Sequence, residues 1–325
     1  MARLHVLETD PRTAALWRLG RAVALVGLAA LVATLLLAPQ PALHTLWSVA
    51  VPLLPASFFV APALWRGICP LSTLNAWGNH LGAPRELTAR ESGALGWAGL
   101  AVFQLLVPAR HLALNTDGPA LAATLVAIGL LALLLGARYA SRSAFCNALC
   151  PVLPVERLYG QAPLLAVERG RCTACSVCTP RGCIDLAEDK AARQVLGNAR
   201  QGDRWLLTPF GLFAAALPGF ILGYASVPDA GWTQAGPTYA ATIGGSLASV
   251  AGTALLVRLT RATPARAVTL LAAVSGTIYY WVTAPMVART FALGPTFVAS
   301  VRTAALLLVG AWIVRIARRA SPRPN

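Results

Sequence analysis

Of the 325 residues, 57% are hydrophobic and only 12% charged, and the mean hydropathy is +0.62. That balance is too apolar for an ordinary soluble domain and places the chain in the membrane class. A formal charge of +15 would mark a nucleic-acid surface in a soluble protein, but no helix-turn-helix, RNA-binding or similar module is visible, and no nucleic-acid partner is expected.

In chain order, the first twenty or so residues, "MARLHVLETDPRTAALWRLGR", are charged and polar and lack the short apolar core and small-residue cleavage site of a signal peptide, so none is expected. Eight stretches then approach the roughly 20 apolar residues that a bilayer crossing needs. They cover about 20–38, 43–64, 93–109, 118–137, 206–226, 237–257, 265–285 and 296–316, and a count of seven is the alternative. The second contains Pro52, Pro55 and Pro62 and the fifth Pro209 and Pro218, so kinks are expected in both.

Arginine placement gives the orientation. With eight spans, every lysine and arginine except Arg110, Arg289 and Arg302 falls on one side, and short loops rich in these residues stay cytoplasmic. Topology therefore accounts for the basic charge, with both termini cytoplasmic in a bacterial inner membrane. Arg302, inside the last span, is expected to snorkel or to face the bundle interior.

All seven cysteines fall on that same side. Cys69 follows the second span, Cys146 and Cys150 follow the fourth, and Cys172, Cys175, Cys178 and Cys183 occupy the long loop before the fifth. Thiols in a reducing compartment favour metal binding over a disulfide framework. In "CTACSVCTPRGC", three thiols spaced Cys-x2-Cys-x2-Cys suit an iron–sulfur cubane, as in bacterial ferredoxins. Zinc sites more often pair two separated Cys-x2-Cys knuckles or mix Cys with His. Cys172, Cys175, Cys178 and Cys183 are thus the candidate metal ligands. One 4Fe-4S cluster is expected, with a second allowed by Cys69, Cys146 and Cys150; whether Cys183 closes the first cluster or joins the second is open. His44 and His111, near the opposite surface, read as interfacial, and no haem is expected.

The stretch "CTACSVCTPRGC", preceded by "RSAFCNALCPVLPVERLYG", resembles the membrane-bound iron–sulfur proteins of the NapH, NosR and CcoG type. Cys146, Cys150 and Pro151 match that family's Cys-x3-Cys-Pro motif, and "RGICPLSTLN" around Cys69 looks like a second copy with Trp65 where the first cysteine would stand. The resemblance spans about residues 60–190 and implies 4Fe-4S clusters and electron transfer between membrane quinones or redox partners and other carriers. Three features depart from the family: one ferredoxin-like run instead of two, seven thiols instead of eight, and Ile184 rather than proline after Cys183.

The expected architecture is an all-α polytopic membrane protein of about eight transmembrane helices with a small cytoplasmic ferredoxin-like insertion between helices four and five. Residues 1–137 form the first membrane part, 138–205 the iron–sulfur segment and 206–325 the second membrane part. The expected role is electron relay between a membrane redox partner or quinone and a soluble ferredoxin-like carrier, as one component of an oxidoreductase system. The alternatives are a CcoG-like assembly factor that reduces a metal ion, and a transporter with a structural or sensing cluster. The Cys-Pro pairs, where proline forces the preceding residue out of the helical region, are expected to present Cys69 and Cys150 at the membrane surface.

Overall fold

A computed structural model describes residues 11–140, 144–165, 167, 192 and 202–320. Helix α1 is Pro11–Leu37; α2 (Pro39–Thr45), a π-turn at Leu46–Ala50 and α3 (Val51–Val60) follow as one rod, then α4 (Pro62–Ile68) and α5 (Pro70–Leu81). Next come α6 (Ala89–Leu106), which runs on into a π-turn at Arg110–Leu114, α7 (Gly118–Arg138), another π-turn at Phe145–Leu149 and α8 (Leu153–Tyr159). The rest of the described chain is α9 (Pro209–Ala225), α10 (Ala235–Thr260), α11 (Pro264–Thr290) and α12 (Pro295–Ala320). The described residues contain no β-strand; Arg85 and Tyr139 form an isolated bridge.

The chain is a multi-pass all-α protein. Seven of its helical rods, Pro11–Leu37, Pro39–Val60, Ala89–Leu114, Gly118–Arg138, Trp232–Thr260, Pro264–Thr290 and Pro295–Arg319, are long and apolar enough to cross a membrane. The expected fifth span corresponds to α9, which is shorter, at 17 residues. Its Phe210, Phe213, Leu217 and Phe220 are all buried, so α9 serves as the centre of the bundle as well as an apolar rod.

Helix ends follow the local chemistry. Thr88 opens α6 with a reciprocal capping box to Glu91, and the side chains of Asp117, Thr208 and Thr263 accept from the first-turn amides of α7, α9 and α11, as capping predicts. Proline occupies the first turn of most of these helices, where its missing N–H costs nothing.

Interior prolines cost more, because each frees the carbonyl four residues earlier. Pro55 frees Val51, whose oxygen accepts the Tyr279 hydroxyl at 3.2 Å, while Tyr280 donates to the Pro52 carbonyl at 3.0 Å. Pro285 frees Trp281, whose oxygen accepts Nε and Nη2 of Arg302 at 3.3 and 3.0 Å. The Arg302 guanidinium also lies 4.3 Å over the Trp281 ring. The arginine that looked misplaced in the last span thus closes a hydrogen-bond gap in its neighbour. The main kink of the second span sits at Ala61 (φ −158°, ψ 76°), just before Pro62, so the rod ends at Val60 and α4 is a separate piece.

The principal core joins the second span to α8, α9, α11 and α12. Phe59 stacks on Tyr159 with centroids 4.4 Å apart and meets Trp312 edge-on at 5.2 Å; the Tyr159 hydroxyl donates to Ser275 Oγ at 3.2 Å. Trp205 and Trp312 are fully buried within it and are packing residues, not surface anchors. At the other end of the bundle, buried His111 sits between the carboxylate of Asp229, which contacts Nδ1, and the Tyr224 carbonyl, 3.1 Å from Nε2. His111 ties the end of α6 to the loop after α9 and reads as structural.

Replacing Arg302 with Leu, although more apolar, is expected to destabilise the protein by about 1–3 kcal/mol by leaving the Trp281 carbonyl unpaired. In Pro285→Ala, which restores the helical donor, the same replacement is expected to be nearly neutral. Thermal unfolding of the four proteins of this cycle in detergent checks the coupling, and additive effects would contradict it.

Candidate functional site

The site grows from two Cys-Pro junctions. Cys69 closes α4 and caps α5 with φ −51° and ψ 121°; Cys150 follows the π-turn at φ −53° and ψ 121°. The two backbones are nearly superimposable at the cysteine because proline imposes the same restriction on both. Each sulfur draws on the first amides beyond its proline, Leu71 and Ser72 for Cys69 and Val152 and Leu153 for Cys150.

Both junctions are packed against the bundle. Helix α5 crosses the C-terminal third of α7 at very close range, since a side chain at Gly78 would strike the Leu133 carbonyl and one at Gly136 the Asn75 carbonyl. The segment before Cys150 dips back between the spans until the Leu149 carbonyl rests on Gly99, ten residues into α6 and so about 15 Å along it. Cys69 and Cys150 are half-buried and Cys146 is buried. Proline ends the helix at each thiol, and close glycine contacts hold the flanking backbones against α6 and α7.

There the junctions meet. Cys69 and Cys150 lie within electrostatic reach of one another. Arg66, three residues before Cys69, donates Nη1 to Glu156 Oε2 at 2.9 Å and Nη2 to Asn147 Oδ1 at 2.7 Å. Glu156 stands six residues after Cys150 and Asn147 three before it. In the reciprocal direction Cys146, four before Cys150, donates its thiol to Oδ1 of Asn75, six after Cys69, at 3.9 Å. The Asn75 amide in turn donates to the Ala132 carbonyl of α7 at 2.7 Å. Each junction thus reaches from just before its cysteine to the sixth residue after the other, a local pseudo-two-fold arrangement. The Arg66–Glu156 pair is deeply buried, with side chains 7% and 3% exposed. Removing one partner of such a buried pair typically costs about 3–5 kcal/mol.

Among the described residues, Cys69 and Cys150 form no disulfide. Cys172, Cys175, Cys178 and Cys183 lie outside the described residues, as do Arg169, Arg171 and Arg181. Among the described residues, no three His, Cys, Asp or Glu side chains converge on a metal position. What the junctions supply is a matched pair of thiols, with Cys146 turned to Asn75. That donor set suits part of a thiolate-ligated group: two soft ligands, amides aimed at each sulfur, and a buried guanidinium alongside. Ser72 Oγ, in the first turn after Cys69, is buried without a partner among the described residues. His80 and His44 are exposed and stand apart from this centre.

Burial pushes the Cys150 thiol up from 9.0 to about 12; neighbouring Cys69 pushes the same way, and the Val152 and Leu153 amides pull it back. Cys69 is likewise raised, first by burial and then by Glu156, against the Leu71 and Ser72 amides and Arg66. The metal-free thiols are therefore protonated at neutral pH. The Arg66–Glu156 pair joins residues 90 positions apart, and its one trace in the sequence is an arginine three residues before one Cys-Pro and a glutamate six after the other.

A group whose folded pKa is raised adds stability that is complete below its unfolded pKa and disappears as pH climbs through the folded one. The metal-free protein is thus expected to lose stability between about pH 9 and 12. Cys150→Ser should flatten that decline, as read by thermal unfolding across the window; an equal slope in both proteins would contradict the burial of this thiol.

No protein-family model, no curated protein and no solved structure matches the chain.

Proposed function

We propose that this is a membrane-bound electron-transfer protein that holds at least one 4Fe-4S cluster at the arginine-rich, cytoplasmic end of its bundle in a bacterial inner membrane. The observation that carries the reading is the meeting of two Cys-Pro junctions, drawn from segments 81 positions apart, as matched thiols beside a buried arginine. The chain that continues from the second junction leads directly into the Cys172–Cys183 run. Cys172, Cys175 and Cys178 hold the cluster, with Cys183 or a remote thiol as the fourth ligand; Cys69 and Cys150 supply ligands to a second centre or to the open position of the first. Cys146 was a ligand candidate by motif, and in this reading it serves the Asn75 contact instead.

The bound cluster supplies one-electron chemistry. The chain's own residues position and insulate it. The proline-fixed backbones at Cys69 and Cys150 hold the sulfurs in place, and the amides beyond them donate toward charge on sulfur. The aromatic core of Phe59, Tyr159 and Trp312 keeps the adjoining interior dry. Arginines around the Cys172–Cys183 run give a soluble acidic carrier a surface on which to dock. Electrons pass between that carrier and a quinone or another redox partner in the membrane.

The break at Ala61 and the π-turns favour a second reading, a transporter whose cluster is structural, because discontinuous helices line substrate sites in such proteins.

Anaerobic purification followed by iron and sulfide quantification and EPR of the reduced protein is expected to show a cluster, and Cys175→Ser to lose most of its signal. Zinc in place of iron would overturn the reading. Quinol-dependent reduction of the cluster is expected in membranes; solute flux without any such reduction would favour the transporter.

A further inference from the structure

The two Cys-Pro junctions are built alike but cross-linked differently. One cross-link is neutral, Cys146 to Asn75; the equivalent on the other side is the ion pair Arg66–Glu156, with Asn147 as a second acceptor for the guanidinium. If joining the junctions were the whole task, a neutral pair would do it without the cost of removing two charges from water. The ionic version also places its charges beside the thiols: Arg66 stands three residues before Cys69, and its two acceptors, Asn147 and Glu156, flank Cys150 in the chain.

We propose that Arg66 is a positioning and charge-balancing residue for the redox group held by Cys69 and Cys150, fixed by Glu156 and Asn147 so that its positive charge favours the group's reduced, more negative state. This rests on the reading that these two cysteines are ligands. Thiolate ligation places negative charge in a dry interior, and each added electron increases it. A guanidinium held by two acceptors from the opposite junction offsets that charge and also fixes the spacing of the junctions. Glu156 works against the first effect and serves the second.

The test is an EPR-monitored redox titration of the anaerobically purified full-length protein, following the signal that Cys150→Ser removes. Arg66→Gln is expected to lower its reduction equilibrium at least tenfold, about 59 mV for a one-electron couple, with helicity unchanged. Arg66→Lys keeps the charge and is expected to stay near wild type. Glu156→Gln removes the opposing charge and is expected to shift the potential upward. Shifts in the same direction for Arg66→Gln and Glu156→Gln, or none in either, overturn the proposal. If Arg66→Gln does not fold, an unmoved potential in Glu156→Gln overturns it alone. Iron in the wild type with no signal that depends on Cys150 overturns this inference while the electron-transfer reading stands; a wild type without iron overturns both.

Discussion

A backbone that breaks inside an apolar bundle exposes N–H and C=O groups that water cannot reach, and each needs another partner. Much of this molecule follows from that constraint. Among the described residues the chain breaks at Ala61, turns through three π segments and carries Pro55 and Pro285 within helices, and neighbouring helices supply donors to the carbonyls that these two prolines free. Tyr279 and Tyr280 serve the second span, and Arg302 serves α11. At the Cys-Pro junctions the same constraint acts in the other direction: the amides left free at the start of a helix are aimed at sulfur.

Solving the backbone problem in this way also positions the site. Because α5 and the segment before Cys150 turn back into the bundle, residues near each cysteine come within reach of the opposite junction. Three polar contacts then join them, Arg66 to Glu156 and Asn147, and Cys146 to Asn75. The glycines at 78, 136 and 99 matter because they let one backbone rest directly on another.

Composition made the all-α membrane class legible, because hydrophobic length is a strong and local signal. Seven spans match the rods of the structure, and α9 falls short only because the 3-10 turn at Gly202–Leu207 takes up the start of the expected segment. Motif spacing identified Cys69, Cys146 and Cys150 as residues to watch, and the prolines marked where helices stop. What could not be read was direction. A proline tells where a helix ends, not whether the chain then leaves the bundle or turns back, and that choice is made by glycine contacts with helices far away in sequence. The partners of Arg66 and Arg302 were hidden for the same reason, as both are tertiary contacts with no periodic signature.

The crossing of α5 over α7 also bears on how the protein is made. Helix α5 is 12 residues long with Ser72, Thr73 and Asn75 buried, too short and too polar to enter a bilayer unaided. The face that accepts it, on α7, lies some 50 residues later in the chain and is synthesised afterwards. The first Cys-Pro junction therefore waits at the membrane surface during biogenesis and docks only once α7 has been inserted. The meeting of the two junctions therefore comes only after α7 has entered the lipid, with α9 to α12 still to follow.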